Sequence, residues 1–167
     1  MAYPPVLPPA GRTNATPQLD AHPSDHNLIA AALAAMPWGL VAPPVILSGG
    51  AQSIPATAVT DVTGLTLNFV RRAARRYLAR WTLQLQQQTA AAVPNIYLMD
   101  GANATWTFRG LTMVAAQYFA LSDFFEVSGA AGTVTVKVRA NTPAGTLQVA
   151  NGSSPSVLLV EDVGPKP

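Results

Sequence analysis

At 167 residues the chain is long enough for one ordinary domain with a core of its own, plus short extensions. Hydrophobic residues make up 49% and charged residues only 11%, with a net charge of +2. This balance argues against a broad nucleic-acid-binding face and favours burial of surface against other copies or partners. Cysteine is absent, which excludes disulfides and thiolate metal sites.

Fifteen prolines and twelve glycines imply many turns and extended arms. No uninterrupted apolar run approaches the roughly 20 residues of a membrane-crossing helix, so no membrane insertion is expected. The opening MAYPPVLPPAGR lacks the basic-then-apolar layout of a secretory signal, so synthesis in the cytoplasm of the producing cell is expected.

Residues 1–23 read as a proline-rich arm, in which Pro4, Pro5, Pro8 and Pro9 favour an extended, polyproline-like path. Residues 24–44 read as a short helix and a linker. Ser24 suits an N-cap and Asp25 the first turn, where the helix dipole favours negative charge. Leu28 to Met36 then form a helix that is apolar nearly all round and too short to stand alone. Pro37 ends it, and Trp38 to Pro44 is a linker.

Residues 45–167 read as an all-β domain. Short strands are expected at Val45–Ser48 and Ala58–Val62, the latter leading into the stretch GLTLNFVRRAARRYLARWTLQLQQQ at Gly64 to Gln88. There Leu65, Leu67 and Phe69 alternate with polar residues. After a basic turn Tyr77, Ala79, Trp81, Leu83 and Leu85 do the same, so the stretch reads as two strands of an antiparallel hairpin. A rival reading is a basic amphipathic helix, since Val70, Ala74, Tyr77, Leu78, Trp81 and Leu85 also fall at helical spacing. Further strands are expected at Val93–Met99, Ala104–Phe108, Leu111–Ala120, Asp123–Val127, Thr133–Ala140, Thr146–Ala150 and Val157–Val163. Tight turns are expected at Asp100-Gly101 and Gly129 to Gly132. The expected fold is an antiparallel jelly-roll β-sandwich, preceded by an extended N-terminal arm and one short α-helix.

Candidate sites are few. His22 and His26 are four apart, a spacing that places two imidazoles on one helical face for a metal, with Asp20 and Asp25 nearby. Pro23 interrupts that helix, and a turn-and-cap segment is the plainer reading. Arg71, Arg72, Arg75, Arg76 and Arg80 offer a grip for an anionic surface such as a host cell-surface polymer. Against this stands a solvated tip or salt bridges to a neighbouring subunit. Trp81 and Tyr77 fall on the inward face, leaving Trp106 as the candidate stacker for a ligand ring. The three Asn-X-Ser/Thr matches carry no meaning without secretion. No phosphate loop, nucleophile triad or zinc motif is present, both histidines lie outside the β-domain, and the acidic residues offer no obvious pair. Neither enzymatic activity nor a cofactor is expected.

Two stretches carry a resemblance. RTNATPQLDAHPSDHNLIAAAL, at Arg12 to Leu33, resembles the N-terminal anchoring segment of tail and fibre-type structural proteins of actinobacteriophages. VTVKVRA with GTLQVANGSSPSVLLVEDVGP resembles the closing strands of a jelly-roll domain in the same kind of protein. In that pattern the Arg–Tyr pair opening the second central strand corresponds to Arg76-Tyr77. The similarity runs in order from about Arg12 to Pro165.

The resemblance implies a non-enzymatic virion structural protein, homotrimeric, with a jelly roll similar to tumour-necrosis-factor-like trimers. Attachment to other virion proteins would run through the arm and helix, with Pro4, Pro5, Asp20, His22, Pro23, His26, Leu28 and Leu33 as anchoring residues. The helix stops at Pro37, where many such fibres continue into a coiled coil, so a compact protein close to the particle is expected. A minor tail or tail-tip subunit is the leading expectation. The alternatives are a capsid decoration or head-fibre protein, or a module that binds a host cell-surface glycan through loops such as Asn103 to Gly110.

Overall fold

The computed structural model describes residues 39–47, 50–150 and 155–165, all within one compact unit running from Pro37 to Pro167. The arm, the short helix and their anchoring residues lie outside the described residues.

Eleven strands make up the described fold: β1 (Gly39–Leu40), β2 (Val45–Ile46), β3 (Gln52–Pro55), β4 (Thr60–Arg71), β5 (Arg75–Gln87), β6 (Asn95–Asp100), β7 (Thr105–Gly110), β8 (Tyr118–Val127), β9 (Gly132–Asn141), β10 (Thr146–Ala150) and β11 (Val157–Pro165). They form two antiparallel sheets packed as a sandwich, and no helix occurs among the described residues.

The larger sheet is organised on β5. This 13-residue strand alternates buried and partly exposed positions along its length, as a strand with one face on a core must. On one edge it pairs with β8 without a register break, from Tyr77↔Val127 to Gln86↔Tyr118. Its other edge is shared end to end by β11, opposite residues 75–82, and β10, opposite residues 84–87. Beyond these lie β1 and β2 beside β11, and β3 beside β10. The smaller sheet runs β4-β9-β6-β7.

The central pair is not a hairpin. β4 pairs only with β9, whereas β5 belongs to the opposite sheet. Alternation requires a buried face; it does not say whether the next strand lies beside it or across the core. Here Leu65, Leu67 and Phe69 face Tyr77, Ala79, Trp81, Leu83 and Leu85 from opposite walls, and all eight are buried. Residues 72–74 turn the corner, with Ala74 at φ 56°. The Phe69 and Tyr77 rings lie 5.2 Å apart, and the Arg72 N–H donates to the Tyr77 hydroxyl at 2.9 Å. The helical alternative is overturned outright, because every residue from 75 to 87 is extended.

Two other expectations need correction. Residues 111–117 are not strand, apart from a bridge between Ala92 and Met113, and β8 starts only at Tyr118. The run Leu-Thr-Met-Val-Ala-Ala is apolar without alternating, and Ala116 takes φ 62°, which a strand cannot accommodate. The 38–44 linker contributes β1, and β3 was not anticipated because only Ile54 of its four residues is buried.

After β3 the chain moves between sheets at nearly every connection. β3, β5, β8, β10 and β11 lie in the larger sheet; β4, β6, β7 and β9 lie in the smaller. Only β6 and β7 form a sequential hairpin. The inner faces meet in one cluster that includes Ile54, Ile96, Leu98, Met113, Val136, Val138, Leu147, Val149, Leu158 and Val160. Burying each such side chain contributes about 1.5–3 kcal/mol, and most of the stability rests here.

Candidate functional site

The arginine cluster is largely satisfied within the chain. Arg75 is buried beside Asp162: its Nε donates to both carboxylate oxygens, at 3.1 and 2.9 Å, and its second terminal nitrogen lies 2.8 Å from Oδ2. Arg76 pairs with Glu126 at 2.9 Å and Arg80 with Glu161 at 2.5 Å, both on the outer face. The hydrogen bond to Glu126, and secondarily its charge, hold the Arg76 guanidinium above its ordinary pKa. Arg80 also lies 5.8 Å from the Phe124 ring centroid. Arg71 donates to the carbonyls of Ser128 and Ala130. Arg72 lies exposed at the corner with Ala73 and Ala74. The acidic partners come from 50 to 87 residues away, a distance at which pairing cannot be read from sequence.

His22 and His26 lie outside the described residues. Among the described residues there is no group of three or more His, Cys, Asp or Glu suited to a metal. Trp106 is half-buried rather than free on the surface, and stacks on Phe125 at 6.0 Å with an interplanar angle of 17°. The expected binding loop, Asn103 to Gly110, is mostly strand β7.

Trp106 nevertheless lines a cavity of about 420 Å³ at the end of the sandwich. Its wall combines the end of β4 (Arg71), the β6–β7 turn (Asp100, Gly101, Ala102), the β8–β9 connection (Ser128) and the start of β9 (Thr133, Val134, Thr135). Asp100 builds the turn: its Oδ1 accepts the N–H groups of Ala102 at 2.9 Å and Ala104 at 2.8 Å. Gly101 passes close to Thr135, where an added Cβ would lie 3.1 Å from the threonine Cβ. The Asp-Gly turn was legible in the sequence. That it would meet Arg71 and Thr133 was not, because the β4 and β8–β9 contributions depend on the fold's winding.

A second feature is the flank where the two sheets end in β7 and β8. Arg109 of β7 and Asp123 of β8 form an ion pair across it. Phe108 is 56% exposed, Tyr118 72% and Phe124 58%. Phe119 and Val114 are exposed as well. Three of the five phenylalanines are therefore exposed, on different faces: Phe108 lies beside Tyr97 on the outside of the smaller sheet, Phe124 beside Arg80 on the outside of the larger one, and Phe119 opposite Leu85 at the inner edge. The Phe124 N–H donates to Asp123 Oδ1 at 2.8 Å, which occupies one amide in the middle of the β8 strand.

No protein-family model matches the chain, and no curated protein matches it. Among solved structures it is similar to infectious bursal disease virus, Gx strain, at 12% identity and TM-score 0.41, over 79% of this chain and 43% of that one. It is also similar to the VP2 subviral particle of infectious bursal disease virus, at 9% identity and TM-score 0.38, over 74% of this chain and 37% of that one. The chain thus spans about two fifths of the length of these viral chains.

Proposed function

We propose that this chain is a non-enzymatic virion structural subunit that works by burying surface against copies of itself and neighbouring particle proteins. The strand order supports this reading. With β10 and β11 taken as one interrupted strand, the sheets run β3-β10/β11-β5-β8 and β4-β9-β6-β7. That is the winding of an eight-stranded jelly roll, an architecture that recurs in viral capsid domains. The anchoring-segment resemblance at Arg12 to Leu33 points the same way, toward a minor tail or tail-tip position, with capsid decoration as the alternative.

The observation that carries self-association is the exposed aromatic side of β8. Tyr118 and Phe124 both point outward from this edge strand of the larger sheet, 72% and 58% exposed. Aromatic residues are enriched where protein surfaces meet. The Asp123 cap on the Phe124 amide favours side-chain packing over strand addition at this edge. The assembly we propose is a homotrimer, with the arm attaching it to the particle.

Sizing-column light scattering of the Tyr118→Ser/Phe124→Ser variant tests this surface. The expected result is a shift from trimer toward monomer with the melting temperature of the isolated domain retained. A variant that stays trimeric would move the interface elsewhere. Antibody labelling of intact particles distinguishes tail from head.

A further inference from the structure

We propose that the cavity at the β6–β7 turn binds a neutral, hydroxyl-rich ligand, a single sugar ring, with Trp106 as its stacking surface. The cavity is an open depression of about 420 Å³ rather than an enclosed one, so a bound ring would keep one side in solvent.

Charge decides the ligand class. The lining holds one guanidinium, Arg71, and one carboxylate, Asp100. The guanidinium is already committed to the Ser128 and Ala130 carbonyls, with Nε 2.7 Å from the Ala130 oxygen. Arg71 keeps its charge, but with Asp100 in the same lining the net charge is zero, so an anion gains no net attraction there. A neutral polyol needs none. Its hydroxyls donate to Asp100 Oδ2, to which no described residue donates, while Ser128 and Thr133 supply hydroxyls that both give and accept. The Thr135 hydroxyl donates to Asn68 Oδ1 at 2.6 Å and serves as wall.

Trp106 supplies the apolar half of the site. A pyranose has one face of polarised C–H bonds, which packs on the electron-rich face of an indole. Phe125 lies nearly parallel to that indole, at 17°, and holds it in place. Asp100 and Arg71 are fixed by bonds to backbone, so little side-chain freedom is lost on binding.

The test is a saturation-transfer NMR titration of the full chain with glucose, galactose, N-acetylglucosamine and rhamnose, with inorganic phosphate as competitor. Saturable binding of at least one sugar is expected, with a Kd on the order of 1–10 mM. Trp106→Ala weakens it at least about tenfold, corresponding to about 1.4 kcal/mol. Because Trp106 also packs on the core, Thr133→Phe provides the second variant. Thr133 is exposed at a strand position, so phenylalanine fills the cavity without disturbing the fold and is expected to abolish binding. No saturable signal from any of the four sugars, binding unchanged in Thr133→Phe, or displacement of the sugar by phosphate would each overturn the proposal.

Discussion

Asp162→Ala should be among the most damaging single changes in the domain. The Arg75 and Asp162 side chains are 5% and 4% exposed, and Asp162 also accepts the Gly164 N–H at 3.0 Å, beside the register break in β11. Removing the carboxylate leaves a guanidinium in a buried site with its main counter-charge gone. Breaking such a pair costs about 3–5 kcal/mol. For a domain of this size about 3 °C is lost per kcal/mol, so the melting temperature should fall on the order of 10 °C. Arg76→Ala removes a pair whose side chains are 40% and 42% exposed, and should change melting far less. The assay is thermal and urea unfolding of both variants and of Arg75→Met/Asp162→Leu. The double variant should recover more than half of the loss, because an apolar pair carries no unpaired charge. An Asp162→Ala loss no larger than that of Arg76→Ala would refute the burial argument. A double variant as unstable as the single would show that the Gly164 contact, not the ion pair, is what matters.

Tyr77→Phe removes the acceptor for the Arg72 N–H and should cost about 1 kcal/mol, read by urea unfolding. Because it loosens the corner between the sheets, tryptic cleavage in the 71–76 segment should quicken by a larger factor than cleavage elsewhere. Gly145→Ala should destabilise by about 1–2 kcal/mol from the left-handed backbone alone. Gly145 has φ 66°, and a Cβ there would lie 2.7 Å from Thr89 Oγ1 and 3.0 Å from the Ala90 nitrogen. An unchanged melting temperature for Gly145→Ala would mean that this turn yields readily.

Face assignments were legible in the sequence, while strand partners were not. Period-two alternation identified Leu65, Leu67, Phe69, Tyr77, Ala79, Trp81, Leu83 and Leu85 as buried, because the core imposes it on each strand separately, but it did not find Val62, Arg75 or Gln87, which are buried as well. The same pattern arises whether the next strand lies beside the first or across the core, so the corner between the sheets at residues 72–74 was read as a hairpin. Thr133–Ala140 was also read correctly as a strand, with Val136 and Val138 buried, yet Lys137 is nearly buried on the other face, 3.7 Å from Asp61. The 111–117 segment misled because an apolar run without alternation carries no face information. The arginines were noted as a group by their spacing. Their partners Glu126, Glu161 and Asp162 belong to strands brought alongside β5 only by the topology. The cavity follows the same rule, since its Asp100 turn is local and its remaining walls are not.

Self-association of this chain as a structural subunit would show first in its native mass in solution. Light scattering on a sizing column should give a stable mass three times that of the single chain. A monomer that persists across concentrations would contradict self-association, because Tyr118 and Phe124 on the outer face of β8 would then have no partner of their own kind.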